Sequence, residues 1–190
     1  MSQLTSVPRI VITGAPGSGK TQFLQRLRLD QAFDQFLFFD ELARQLLRED
    51  PTFRRRWSEF HREIYRRQCH RESEAEHRPF ITDRGTVDAF AFHPETAAAV
   101  GTSIDQEYKR YTTVIQLGSA ARLGEPYYGR DEIRNESIED ALLIERAIES
   151  VWRNHPGYHW IDARLDFEEK YRHFVTVMRE QSLLINQGRV

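Results

Sequence analysis

A chain of 190 residues with 27 basic and 29 acidic side chains and a formal net charge of −2 is long enough to bury one domain's core. Its charge balance argues against nonspecific nucleic-acid binding, which needs a strongly positive face. The single cysteine, Cys69, excludes an intramolecular disulfide or a cysteine-rich zinc site and suits a reducing compartment, the cytoplasm being the simplest location. Neither a basic leader before an apolar run nor a stretch of about 18 apolar residues occurs, so no signal peptide or spanning helix is expected.

In chain order, "RIVIT" (9–13) is a short β-branched strand, followed by "GAPGSGKT" (14–21) and a helix on which Phe23, Leu24 and Leu27 share a face. "FLFF" (36–39) is a second strand, and "ELARQLLRE" after it forms a helix stopped by Pro51. Phe53, Trp57, Phe60 and Ile64 recur at helical spacing and predict a long amphipathic helix reaching Glu76, whose outer face could serve a dimer or face water. "PFITD" (79–83), "TTVIQL" (112–117) and "YHWID" (158–162) are three further strands, and helices are expected at 138–152 and 166–184. The glycine- and charge-rich segment 118–137 reads as a lid. Strands alternating with helices imply an α/β fold with a parallel sheet covered on both faces, and with no linker or repeat in view the expectation is a single domain over 1–190.

Residues 14–21 fit G-x-x-x-x-G-K-[ST] at every fixed position, through Gly14, Gly19, Lys20 and Thr21, and they sit between a strand and a helix as that motif requires. Gly14, Ala15, Gly17, Ser18, Gly19, Lys20 and Thr21 are the expected nucleotide-binding residues, since glycines let backbone N–H groups turn toward phosphate at the positive end of a helix. Pro16 has no N–H and should stiffen the outer bend. Lys20 offers a compact charge to the β- and γ-phosphates, and the Thr21 hydroxyl should hold Mg²⁺ of an ATP·Mg²⁺ complex. The choice of lysine has weight here: of 27 basic residues only Lys20, Lys109 and Lys170 are lysine. The alternative is a glycine-rich structural turn.

Ligands of open parallel sheets collect beyond the carboxyl ends of the strands. Asp83 stands there, as a Mg²⁺ carboxylate or, less functionally, as the cap of a helix starting near Thr86. At the end of the second strand Asp40 or Glu41 could take the proton of a substrate hydroxyl, and Glu41 is the candidate base; a first-turn acid is the plainer alternative. Arg44, one turn on, could pair with Glu41 or bind an anion. In the lid, Arg130 and Arg134 are four apart and could clamp charge on a transferring phosphoryl group, with Arg122 on the lid's other side; Asp131 and Glu136 could instead hold them in surface ion pairs. The catalytic set is therefore Lys20, Glu41, Asp83, Arg130 and Arg134, with Thr21 and Asp83 for the metal. His155 and His159 have zinc-like spacing but no partner cysteines. Cys69 lies between basic neighbours without a catalytic partner.

"IVITGAPGSGKT", "ELAR", "ITDRGTVDAFAF" and the "RDEIRNE" lid together resemble the small P-loop proteins of the AAA-domain, nucleoside-kinase-like group, which includes the kinase domain that phosphorylates ribosylnicotinamide. The resemblance spans roughly residues 9 to 180. It implies a three-layer P-loop fold with a five-stranded parallel sheet in the order 2-3-1-4-5, as in nucleoside and nucleotide kinases. The group's acid–x–Ala–Arg falls on Glu41, Ala43 and Arg44, its Asp–Arg–Gly on Asp83, Arg84 and Gly85, and its following aspartate on Asp88; Leu42 and Phe92 stand where many members have tyrosine.

The expected function is a small-molecule kinase that uses ATP and Mg²⁺ on a nucleoside- or nucleotide-like acceptor. The alternative is a switch or regulatory ATPase of slow hydrolysis that uses ATP or GTP and has a protein or lipid partner. A Ras-type GTPase is disfavoured because no N-K-x-D motif occurs and the glycine of "DRG" is one place early for D-x-x-G. An AAA+ motor would need a separate small helical domain, and a polynucleotide kinase a broader basic groove.

Overall fold

The computed structural model describes residues 7–128 and 136–186. Five strands, β1 (Arg9–Thr13), β2 (Leu37–Phe39), β3 (Phe80–Asp83), β4 (Thr113–Leu117) and β5 (Tyr158–Ile161), form one parallel sheet in the order β2-β3-β1-β4-β5. This is the order implied by the family resemblance. The three inner strands are buried along almost their whole length because both faces are covered, whereas the outer strands β2 and β5 are mostly half-buried.

Helices pack on both faces. Side chains of a strand alternate between faces, so Ile10 and Ile12 of β1 meet Phe23, Leu24 and Leu27 of α1 (Lys20–Leu27) and Phe174 and Met178 of α8 (Phe167–Asn186). Val11 points to the other face, with Phe80, Val114 and residues of α4 (Asp88–Phe92) and α7 (Ile138–Trp152), among them Phe90, Ile148 and the fully buried Trp152. Around this second layer lie α2 (Leu42–Glu49) and α3 (Trp57–Glu74).

Several elements depart from expectation. The long helix begins at Trp57 because Pro51–Arg55 forms a separate 3₁₀ turn capped by Asp50. Between β3 and β4 the chain makes α5 (Glu95–Val100) and α6 (Ile104–Tyr108), which the sequence reading left unassigned. The start of α6 is nonetheless signalled: Ser103 and Gln106 make a reciprocal capping box. No helix starts at Thr86; α4 starts at Asp88, and Asp83 caps nothing. His155 is buried and bonded to the carbonyls of Tyr108 and Tyr111 and to the Gly157 amide, which makes it a structural histidine. Among the described residues no helix is long and apolar enough to cross a membrane.

The parallel register brings the carboxyl ends of β1, β3 and β4 together, with Ile12 opposite Asp83 and Thr13 opposite Gln116. The glycine-rich loop leaves β1 at that rim.

Candidate active site

Each carbonyl of the loop Gly14–Gly19 meets a donor. Gly14 O accepts from Lys20 Nζ at 2.9 Å, Ala15 O from Ser18 N at 3.2 Å and Gly19 O from Phe23 N at 3.0 Å. Pro16 O accepts from the Ser119 hydroxyl at 2.5 Å, Gly17 O from Ala120 N at 3.1 Å and Ser18 O from Lys170 Nζ at 2.7 Å. Gly14, Gly17 and Gly19 make the bend with φ of 148°, 76° and 88°, angles that side chains resist. Among the described residues the amides of Ala15, Gly17, Gly19, Lys20 and Thr21 donate to no protein acceptor. N–H groups without a protein acceptor, ahead of the helix α1, are what a phosphate cradle needs. Ser18 Oγ is buried there with no partner.

Beside the loop stand two carboxylates in opposite electrostatic settings. Asp83, at the end of β3, is 7 % exposed, and its Oδ1 has no hydrogen-bond partner. Burial raises its carboxyl above the usual aspartate range, against the pull of Lys20. Glu41 also suffers burial, but Arg84, Lys20 and Arg44 outweigh it and hold its carboxyl below the usual range. Arg84 Nε donates to Glu41 Oε1 at 2.9 Å, and Arg44 Nε lies 3.2 Å from Oε2. The sequence left Asp40 and Glu41 undecided; Glu41 is the one that faces the site, while Asp40 is exposed and paired with Arg28 at 2.7 Å. Lys20 itself is drawn below the usual lysine value by burial and by Arg84, opposed by the surrounding carboxylates.

Arg84 follows Asp83 with φ at 70°, the left-handed region that a non-glycine side chain adopts only when its surroundings enforce it. The enforcement comes from Asp88, 2 % exposed. Its Oδ1 accepts from the Thr13 hydroxyl and from Arg84 Nη1 at 3.3 Å, and its Oδ2 from Gly85 N at 2.9 Å and Trp152 Nε1 at 3.1 Å. Tyr111 Oη accepts from Thr86 N at 2.7 Å and donates to the buried Glu72. Neither Arg84 nor Asp88 figures in the site read from the sequence, although both occupy positions of the family motif.

On its other side the Arg84 guanidinium lies 5.0 Å from the centre of the Phe92 ring. Phe92 is stacked with His61 at 6.1 Å, and His61 meets Trp57 edge-on at 4.4 Å. His61 is 3 % exposed with both ring nitrogens unpartnered, and burial, helped by His93, lowers it to about 4. It is therefore neutral at physiological pH. Aromatic surface thus adjoins the Glu41–Arg84 pair.

The described start of the 118–137 segment packs against the loop. Ser119, Ala120 and Tyr128 touch residues 16 and 17, and Ser119 N and Arg122 Nε both donate to Glu145 of α7, at 2.6 and 2.5 Å. Arg122 is thereby engaged with Glu145 and stacked over Trp160 at 4.6 Å. Arg130 and Arg134 lie outside the described residues.

Residues present fit a divalent cation of the kind nucleotides carry. Mg²⁺ is held by few carboxylates and by substrate phosphates, and Asp83 offers a buried oxygen without a partner while Thr21 offers an exposed hydroxyl at the start of α1. Among the described residues no cluster of three histidine, cysteine or acidic side chains suits a metal held by protein alone.

Among solved structures the fold is similar to deoxyadenosine kinase from M. mycoides with bound dATP, at 14 % identity and a TM-score of 0.61, covering 90 % of this chain and 99 % of that one. The same enzyme with the products dCMP and a flexible dCDP matches at 13 % identity and a TM-score of 0.56, with the same coverage. No curated protein matches the sequence. A family model described as an AAA domain matches residues 9–170, and by that match, which spans most of the chain, the protein belongs to the AAA-domain family.

Proposed function

We propose that the protein is a small-molecule kinase that moves the γ-phosphoryl group of ATP to a hydroxyl of a nucleoside- or nucleotide-like acceptor, as one unit with 118–137 as its lid. One observation carries this reading: beside a glycine-rich loop whose amides lack protein acceptors stand two different carboxylates, Asp83 with an unpartnered buried oxygen and Glu41 bound to Arg84. The deoxyadenosine kinases of similar fold bind nucleotides as their structures describe, which supports an acceptor of that class.

In this account the loop amides and Lys20 bind the triphosphate. Thr21 and Asp83 would hold Mg²⁺, which would supply charge neutralisation at the phosphates. Glu41, kept ionised by Arg84, accepts a hydrogen bond from the acceptor hydroxyl and orients it in line with the γ-phosphorus. A weak base suffices, because the transition state of phosphoryl transfer is largely dissociative and the proton leaves late. Phe92, half-buried and backed by the buried, neutral His61, offers ring surface to a planar acceptor. The lid, with Arg130 and Arg134 as its phosphate clamp, closes over the γ-phosphate and excludes water, favouring transfer over hydrolysis.

Glu41→Gln separates these roles. Its expected result is a fall in kcat of about 100-fold or more, the scale of a lost general base, with ATP affinity within about twofold of the wild type, since Glu41 lies outside the loop. An ATP affinity that collapses together with kcat would place Glu41 in nucleotide binding and sink the assigned role.

A further inference from the structure

We infer that Lys170 is a positioning residue that sets the curvature of the phosphate-binding loop and thereby its affinity for polyphosphate. The inference rests on the loop being the nucleotide site, as proposed above.

Lys170 reaches the loop from α8, across 152 residues of sequence. Its ammonium donates to Ser18 O at 2.7 Å and to Gly118 O at 2.6 Å, so a single cation joins the loop, the end of β4 and the last helix. It is 4 % exposed, lies 5.8 Å from the centre of the Phe23 ring and forms no ion pair among the described residues. A buried ammonium satisfied by carbonyls alone is an expensive way to stabilise a fold; an apolar side chain would generally serve packing better. Its geometry serves the loop instead. By fixing the Ser18 carbonyl outward it turns the following peptide's N–H, that of Gly19, toward the cradle, and it adds a positive charge behind the site. The choice of lysine in a chain with only two others fits the same reading, because a compact, three-proton head can seat between two carbonyls where a planar fork cannot.

The charged groups that face Lys170 come from three sides: Glu145 of α7, Asp162 after β5 and Lys20 of the loop itself. Burial lowers the ammonium to about 8, with the two acids pulling upward and Lys20 downward. It remains mostly protonated at pH 7.

The test measures MgATP and inorganic tripolyphosphate binding at pH 7 by calorimetry, together with the melting temperature with and without MgATP, for wild type, Lys20→Ala and Lys170→Met. Methionine keeps the stem's volume and removes the donors. The expected result is a loss of at least tenfold in affinity for both ligands in Lys170→Met, and a smaller rise in melting temperature on adding MgATP than in the wild type, whatever happens to the ligand-free melting temperature. A folded Lys170→Met protein that binds both ligands within twofold of the wild type overturns the inference and leaves the site reading intact. A wild type that binds neither ligand sinks the site reading itself. Should Lys170→Met fail to fold, Lys170→Leu, which also removes the donors, is judged by the same criterion; if that also fails to fold, Lys170 is a packing residue and the inference is overturned.

Discussion

Asp83→Asn is expected to lower phosphoryl transfer by about 100- to 1,000-fold, the scale of removing one group that stabilises charge in a transition state, while leaving the protein as stable as before or slightly more so. The two halves of this result have different origins. Activity falls because an amide is a poor ligand for a hard divalent cation, and Asp83 is the carboxylate at the loop with an unpartnered oxygen. Stability holds because the fold does not favour the ionised form: burial raises the Asp83 carboxyl above the usual range. An acid with a raised folded value lowers stability as pH climbs from the unfolded value, about 3.9, through the folded one. The asparagine variant should lack that loss, so its melting temperature should depend less on pH in the weakly acidic range. Thermal melts from pH 4 to 7, read beside transfer rates, check both halves. A variant that loses activity and stability together would make Asp83 a structural residue.

Asp88→Ala should, by contrast, destabilise the fold. Removing this carboxylate leaves the Thr13 hydroxyl, the Gly85 amide and the Trp152 indole N–H without their acceptor in the core, and it releases one side of Arg84. Each buried donor left unsatisfied costs about 1–3 kcal/mol. Relaxation and the loss of the aspartate's own desolvation offset part of that, and the expected loss of stability is about 3–5 kcal/mol, as for a broken buried charge network. Urea unfolding measures it. Activity should also fall in whatever remains folded, since the left-handed turn at Arg84 that presents this arginine to Glu41 depends on the same carboxylate. A loss below about 1 kcal/mol would mean that the turn at 83–85 is held by Tyr111 and Glu72 instead.

The contrast between these two aspartates shows what the sequence could tell and where it stopped. Asp83 ends an apolar strand behind a phosphate loop, and both features are local, so its position at the strand end was legible. The parallel sheet was legible for the same reason, from short β-branched runs separated by helical spacing. Asp88 is recognisable only as a motif position; its partners come from β1, α7 and the turn before it, and no local pattern announces them. Glu41 could not be told from Asp40 because the choice depends on how β2 leaves the sheet edge and on an arginine 43 residues away. Lys170 is hardest of all, since its two carbonyl partners lie 152 and 52 residues away and carbonyls leave no trace in residue identity. The helical spacing of Phe53, Trp57, Phe60 and Ile64 predicts one apolar helix face. Phe60 is buried, but Trp57 is half exposed and lies against His61 at the edge of the acceptor side.

The central claim is that the loop and its two carboxylates transfer phosphate to a small molecule and do not merely hold a nucleotide. Incubation of the wild-type protein with MgATP and a panel of nucleosides, nucleotides and ribosylated vitamins, read by mass spectrometry for phosphorylated product, tests it directly, with Lys20→Ala as the control. The expected result is one acceptor phosphorylated far above background hydrolysis, with product absent in the Lys20→Ala reaction. Tight ATP binding with no phosphorylated acceptor and only slow hydrolysis would contradict it and make the protein a nucleotide-dependent switch.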